Sequence, residues 1–239
     1  MKVDTKILTY IENVVETASL VKIDNIIIET DKVRAVNDEK TAVLFQNKGV
    51  PALPFNSIGL NRIEIFRSRY DIAKTTEQFE VEAVMCAPTP ERPEIFVRAL
   101  IMKGKGFKID YRCADPATIQ SPRVLTDVSK YEVKMTPEAV LLMSKGVNAM
   151  GAEDVTFIGT KNSVSFEMED VNKDIMSYKF ANGITVQDDD KDPHFKYTYA
   201  AYYVLALFKQ NSDGHFHLTT KGMMKIVVNG LDIYILPRV

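Results

Sequence analysis

Apolar residues recur along this chain with two periods, and the switches between them mark out its elements. Residues 4–17 (DTKILTYIENVVET) place Ile7, Ile11, Val14 and Val15 at helical spacing, behind Asp4 or Thr5 as a cap. Strand-like segments follow at VKI (21–23), NIIIET (25–30), KVRAV (32–36) and TAVLF (41–45). The stretch NSIGLNRIEIF (56–66) predicts a short helix capped by Asn56 or Ser57, with Ile58, Ile63 and Phe66 as a partial stripe. Strands are expected again at QFEVEAV (78–84), EIFVRALIM (94–102) and GFKIDYR (106–112). The next stretch, CADPATIQSPRVLTDVSKY (113–131), has two prolines and no sustained period, which is the pattern of a linker.

After the linker the order begins again. YEVKM (131–135) reads as a strand, and Thr136-Pro137-Glu138 opens a helix with a cap and a proline at its first position. The helix body AVLLMSKGVNAM accommodates Gly146 at some cost. Strands are predicted at DVTFIG (154–159), SVSFEME (163–169) and DIMSYKF (174–180), a helix over YAAYYVLALFK (199–209), and strands at HFHLT (215–219), MMKIVV (223–228) and LDIYIL (231–236). Each half is thus helix, strands, helix, strands, an internal repeat seen in element order more than in residue identity. The expected architecture is α+β, two copies of one unit with helices on one side of antiparallel sheet. The boundaries are a first domain over 1–112, a connector over 113–129 and a second domain over 130–239.

Asn229-Gly230 joins the last two strands as a two-residue turn of the type that needs positive φ at both positions. The register that follows pairs Val228 with Leu231, Ile226 with Ile233 and Met224 with Ile235 on one apolar face. The other face pairs Val227 with Asp232 and Lys225 with Tyr234, yet its open end is greasy: Met223 opposite Leu236, with Pro237 next. Apolar residues on a solvent face call for something to cover them.

Composition narrows the class. In 239 residues, 46% are hydrophobic and 26% charged, the balance of a soluble globular protein. No apolar run approaches a membrane span and no targeting segment is visible, so a cytoplasmic location is expected. Cys86 and Cys113 lack any motif spacing and read as free thiols. The formal charge of −2 argues against a protein that coats nucleic acid with its whole surface, while leaving room for a local basic face.

Signals for catalysis are weak. Gly104-Lys105-Gly106 lacks the spacing of a phosphate loop and reads as a strand–strand turn. His215 and His217 share a strand face, but no third metal ligand is fixed by the sequence. The acidic run Asp188-Asp189-Asp190, with Asp192, suits a solvated hairpin tip. Nothing orients Cys113 and His194 as nucleophile and base, and Ser144-Lys145 has no hydrolase context. No enzyme and no cofactor are expected. The basic residues Lys6, Arg62, Lys145 and Lys209 lie one on each predicted helix, either as ordinary solvated decoration or as a surface that touches phosphates without reading bases.

Taken in order, the terminal YILPRV, the stretch KVRAVNDEKTAVLF, the linker ADPATIQSPRVLTDVSKYEVKM and GAEDVTF after a helix resemble the DNA-polymerase sliding clamps. The opening MKVDTKIL…RAVN and the ADPATI linker are most similar to clamps of T-even-like tailed phages; YILPRV is also similar to the terminal strand of the eukaryotic and archaeal clamps. The resemblance implies a non-enzymatic processivity factor: two clamp domains per subunit, and a head-to-tail homotrimeric ring around duplex DNA that tethers the replicative polymerase. GFKIDYR would pair across the interface with DIMSYKF of a neighbour. An ATP-driven clamp loader would place the ring on DNA, in the host cytoplasm for a phage protein. Lys145 and Arg62 match basic channel positions, and Lys6 and Lys209 join them. A partner peptide such as the polymerase C-terminal tail would dock in an apolar pocket between the domains. That pocket would be formed by Val36 and Val43, by Val124 and Leu125 of the linker, and by Met223, Tyr234, Leu236 and Pro237. Leu236 stands where cellular clamps commonly have a small residue, which would alter peptide preference. The alternative from the same strand-rich repeat is a β-rich virion or structural assembly protein.

Overall fold

The computed structural model describes residues 1–46, 48–76, 78–87, 95–122, 128–160, 163–180, 184–186 (backbone only) and 195–238. The chain divides into two compact units. The first gathers Met1–Glu39, Val43–Arg123 and Asn229–Leu231; the second gathers Lys40–Ala42, Val124–Val228 and Asp232–Val239.

In the first unit, helix α1 (Thr5–Ser19) starts where Asp4 accepts the Lys6 N–H at 2.7 Å, and it buries Ile7, Leu8, Ile11, Val14, Val15 and Ala18. Strands β1 (Asn25–Glu29), β2 (Val33–Val36) and β3 (Ala42–Gln46) follow, then β4 (Ser57–Asn61) and α2 (Ile63–Lys74). Strands β5 (Glu80–Met85), β6 (Val97–Gly104) and β7 (Phe107–Arg112) complete the unit. The order is β3-β2-β1-β4-β6-β5, with β7 also on β6. Residues 1–3 extend along β5, with the Val3 N–H on Val81 and the Ala83 N–H on Met1.

The predicted helix over 56–66 is corrected here. Ser57–Asn61 pairs antiparallel with β1, register Asn25 to Asn61 through Glu29 to Ser57, and the helix begins only at Ile63. VKI (21–23) is a turn into β1 and not a strand.

The second unit repeats this plan. A strand β8 (Ser129–Lys134) precedes α3 (Pro137–Met150), then come β9 (Asp154–Thr160), β10 (Ser163–Glu169), β11 (Ile175–Lys179), β12 (Ile184–Val186) and β13 (Phe195–Ala200). Helix α4 (Ala201–Gln210) leads to β14 (His215–Thr219), β15 (Met224–Val228) and β16 (Leu231–Ile235). The four-stranded sheet β11-β10-β9-β13 has the order of β3-β2-β1-β4, and β8 borders β14 as residues 1–3 border β5. Strand β13 is a second departure from the predicted elements, since the chain is extended through Ala200 before α4 begins.

At Gly146 α3 packs close enough that an added side chain would displace the flexible ends of Met168 and Met176. A Cβ there would lie 2.2 Å from Met168 Cε and 2.6 Å from Met176 Sδ, so its absence lets α3 approach β10 and β11. At the last turn Asn229 and Gly230 have φ of 51° and 78°, as the two-residue hairpin demands. Met224, Ile226, Val228, Leu231, Ile233 and Ile235 are all buried, the apolar face expected from the register.

Candidate nucleic-acid and partner sites

The channel candidates are placed by their helices. Lys6 lies in the first turn of α1 and is exposed. Arg62 is not on the polar face of α2 but is its N-cap, in a left-handed conformation with φ 54° and ψ 55° and no side-chain cap bond. Asp24 does the capping instead, accepting the Ile63 N–H on its carboxylate at 3.0 Å. Burial raises the Asp24 pKa against that hydrogen bond. Lys145 is exposed on α3, which Thr136 caps by accepting the Ala139 N–H at 3.2 Å. Lys209 is exposed in the last turn of α4, where a cation complements the helix dipole. Among the described residues none of the four enters an ion pair.

Side-chain contacts orient the first pair of helices. Lys74 of α2 reaches Glu12 in the middle of α1, and Arg67 reaches Ser19 at the end of α1 at 3.2 Å, so the two run antiparallel. Lys6 and Arg62 therefore sit at opposite ends of the pair. In the second unit Val147 and Ala152, near the end of α3, line one small cavity with Tyr202 at the start of α4. That makes α3 and α4 antiparallel, with Lys145 in the middle of α3 and Lys209 at the far end of α4. In the first unit α1 and α2 carry four basic and four acidic residues, and in the second α3 and α4 carry two basic and one acidic, so each helical pair is close to electroneutral. Each offers separated cations in place of a dense basic patch.

For the partner site, Val36 and Val43 face each other directly in the β2–β3 register; Val36 is half-buried and Val43 buried. Tyr234, Leu236 and Pro237 are half-buried at the end of the chain. Met223, expected on the solvent side, is only 8% exposed, and its backbone is clamped to Thr219 in both directions at 2.9 Å. It adds no apolar surface. Val124 and Leu125 lie outside the described residues. Lys225 bonds Asp232 at 2.8 Å and lies 5.7 Å from the Tyr234 ring centroid, fixing that tyrosine from the side. The tail is pinned, since the Arg238 N–H donates to the Thr198 carbonyl at 2.8 Å and its guanidinium meets Asp154 at 2.5 Å.

The catalytic alternatives lose ground. Burial pushes the Cys113 thiol up to about 12, opposite to what a nucleophile needs. His194 and the acidic run at Asp188 lie outside the described residues. His217 stands opposite Glu132 and Lys225, His215 opposite Lys134, and no group of three metal-ligating side chains forms among the described residues. Gly104-Lys105-Gly106 is the β6–β7 turn, with Gly106 at φ 82°. No described helix is long and apolar enough to cross a membrane.

The sequence matches no family model, and no curated protein sequence matches it. Solved structures do match. A proliferating cellular nuclear antigen (PCNA) from Entamoeba histolytica aligns over 96% of this chain and 95% of its own, with 14% identity and a TM-score of 0.62. The A. fulgidus PCNA, solved with the C-terminal region of FEN-1 bound, gives 15% identity, the same two coverages and a TM-score of 0.62. A chain of the Sulfolobus tokodaii PCNA2–PCNA3 complex aligns over 100% of this chain and 99% of its own, at 15% identity and a TM-score of 0.59. The duplicated α+β architecture of this chain is the DNA-clamp fold.

Proposed function

We propose that this chain is the subunit of a non-enzymatic sliding clamp, a ring that encircles duplex DNA and tethers a replicative polymerase. The observation that carries the reading is the duplicated unit with one long unpaired strand edge in each copy. In the first unit β5 is bordered by residues 1–3, and in the second the outer edge of β13 meets the Arg238 N–H at Thr198. Among the described strands β7 and β11 each have one edge with no strand partner. Two different edges that pair head to tail give a heterologous interface, which closes into a ring when the rotation allows. A homotrimer follows from the clamp resemblance, as do the clamp loader and the affinity with T-even-like phage clamps.

Lys6, Arg62, Lys145 and Lys209 are the proposed phosphate contacts. Separated cations on a nearly neutral surface give weak, salt-sensitive contacts, which suit sliding; retention comes from topology. The half-buried Tyr234, Leu236 and Pro237 are the second unit's proposed contribution to a partner-peptide dock, and Val36 and Val43 the first unit's. The solved complex of the A. fulgidus PCNA with a FEN-1 C-terminal region is a precedent for a peptide partner on this fold.

Native mass spectrometry should give a trimer, and the protein should lengthen the products of its polymerase when loader and ATP are present. Lys145→Glu should cut that stimulation while leaving the trimer intact. A monomer, or a large open assembly without any effect on synthesis, overturns the clamp reading, and the open assembly favours a structural protein.

A further inference from the structure

On the solvent side of β5, β6 and β7 the register sets side chains in rows: Glu80, Lys103 and Lys108; Glu82, Ile101 and Asp110; Val84, Ala99 and Arg112. Lys2 bonds Glu80 at 2.5 Å, Lys103 bonds Glu82 at 2.6 Å, and Lys108 meets Asp110 at 3.3 Å. Each carboxylate of these rows therefore has its own lysine. The pairing of β5 with β6 passes from Val84–Ala99 to Met85–Val97, so Arg98 is the extra residue of a bulge. A bulge re-aims its side chain, and Arg98 is exposed beside Arg112. Neither guanidinium has a hydrogen-bond or ion-pair partner among the described residues. By contrast Arg34, Arg67 and Arg238 are in ion pairs, and Arg69 donates to the Asp110 carbonyl at 3.1 Å.

The two arginines border a cavity of about 490 Å³ whose apolar floor is Val84, Ala99 and Ile101. Its remaining lining, Asp110 and Cys113, supplies no spare counter-charge: Asp110 is engaged by Lys108, and burial keeps the Cys113 thiol neutral. Two neighbouring guanidinium groups repel each other, and an anion set between them turns that repulsion into attraction. Arginine does this with a planar fork that matches a carboxylate bidentately. The floor has no aromatic ring on which a base could stack, and the lysines around it are engaged by carboxylates, which disfavours nucleic acid. Nor does the floor carry the convergent polar groups that orient a small metabolite.

We propose that this face binds an acidic peptide segment of a partner protein, whose carboxylates take Arg98 and Arg112 while an aliphatic side chain seats on Val84, Ala99 and Ile101. Charge complementarity selects the acidic partner, and the apolar floor selects an aliphatic residue among the acids. The paired lysines bound the site and leave the two arginines as its surplus charge. The site lies within the first unit, on the side of the sheet away from α2: Phe66 of that helix packs on Tyr111, with ring centroids 5.2 Å apart, and Tyr111 points opposite to Arg112 along β7. It requires neither a ring nor DNA, so it stands apart from the function proposed above.

Fluorescence anisotropy of the full chain with a labelled hexapeptide of alternating glutamate and leucine should show saturable binding. Arg98→Ala and Arg112→Ala should each weaken it about tenfold, and a peptide with glutamine in place of glutamate should lose about as much. Arg98→Glu combined with Arg112→Glu should abolish binding and capture a peptide of alternating lysine and leucine instead. Both arginines are exposed, and circular dichroism checks that each variant is folded. Lys134→Ala, at an exposed lysine of the second unit, should leave the affinity unchanged. The proposal is overturned by a lack of saturable binding, by equal binding of the glutamine peptide, or by a loss in Lys134→Ala as large as in the arginine variants. It is also overturned if the arginine variants weaken binding of single-stranded DNA and not of the peptide. None of these results bears on the ring, whose test is the mass of the assembly.

Discussion

The two units share the order of their helices and main strands and differ in what holds them together. The first has an aliphatic centre: Ile26, Ile27 and Ile28 are consecutive buried residues of β1, and its aromatic contacts are confined to Phe66, Tyr70, Phe79 and Tyr111 among the described residues. Its helices are tied by charge, with Lys74 bonded to Glu12 and to Asp71 at 3.0 Å. The second unit is built around rings. Phe157 touches Phe166, Tyr199, Phe208 and Phe216, with centroids between 5.5 and 6.3 Å, and Phe180 extends the cluster to Tyr178. Helices α3 and α4 carry Glu138, Lys145 and Lys209 as their charged residues. One fold therefore tolerates two different cores, provided the burial pattern of each strand is kept.

The largest effect should come from the aromatic hub. By the β1–β4 and β9–β13 registers, Ile28 and Phe157 each lie three residues after their strand begins. Phe157→Ala should destabilise the second unit by about 3–5 kcal/mol, whereas Ile28→Val should cost the first about 0.5–1.5 kcal/mol. Urea titration with hydrogen exchange resolved by unit separates them. Equal losses would mean that the ring cluster is packing of ordinary strength and that the contrast is only of composition.

A smaller effect tests the charged brace. Lys74 has its pKa raised to about 12, chiefly by the hydrogen bond to Glu12, and is more than a third exposed, so solvent screens the pair. Lys74→Met should cost the first unit about 0.5–1 kcal/mol, with the difference shrinking as salt is added. A loss that is independent of salt would assign the effect to packing on Tyr70, whose ring centroid lies 5.1 Å from the ammonium.

The repeat was legible in the sequence because helix and strand periods alternate in the same order twice. The strand before each second helix was not. Ser57–Asn61 has the apolar content of a helix start, and only its pairing with β1 makes it extended; Phe195–Ala200 runs into an aromatic helix without a turn residue. Tertiary pairing overrode local preference at both places. Of the candidate site, the helix of each lysine could be read from periodicity. The N-cap position of Arg62 could not, because the cap bond comes from Asp24, a residue far away in sequence. Met223 shows the limit of register arguments: a position can alternate outward beside a strand and still be buried.

The finest contrast is one of titration. The three histidines of the chain all fall after Arg123, so the first unit has none. On the solvent face of the second unit His217 is flanked by Glu132 on β8 and Lys225 on β15, with His215 on its own strand and Asp232 on β16 also acting on it. Its Nδ1 is buried without a hydrogen-bond partner among the described residues. Burial lowers its pKa below the ordinary 6.5, and Lys225 and His215 push the same way against Glu132 and Asp232. The folded state then favours neutral imidazole, so its contribution to stability is complete above pH 6.5 and is lost as pH falls from there through the folded value. Acidification from about pH 7 to 5.5 should lower the stability of the second unit, and His217→Gln should flatten that slope. The first unit, which has no histidine, should respond less over the same range. An unchanged slope in His217→Gln, or an NMR titration of His217 at or above 6.5, would show that the buried Nδ1 carries no penalty on protonation.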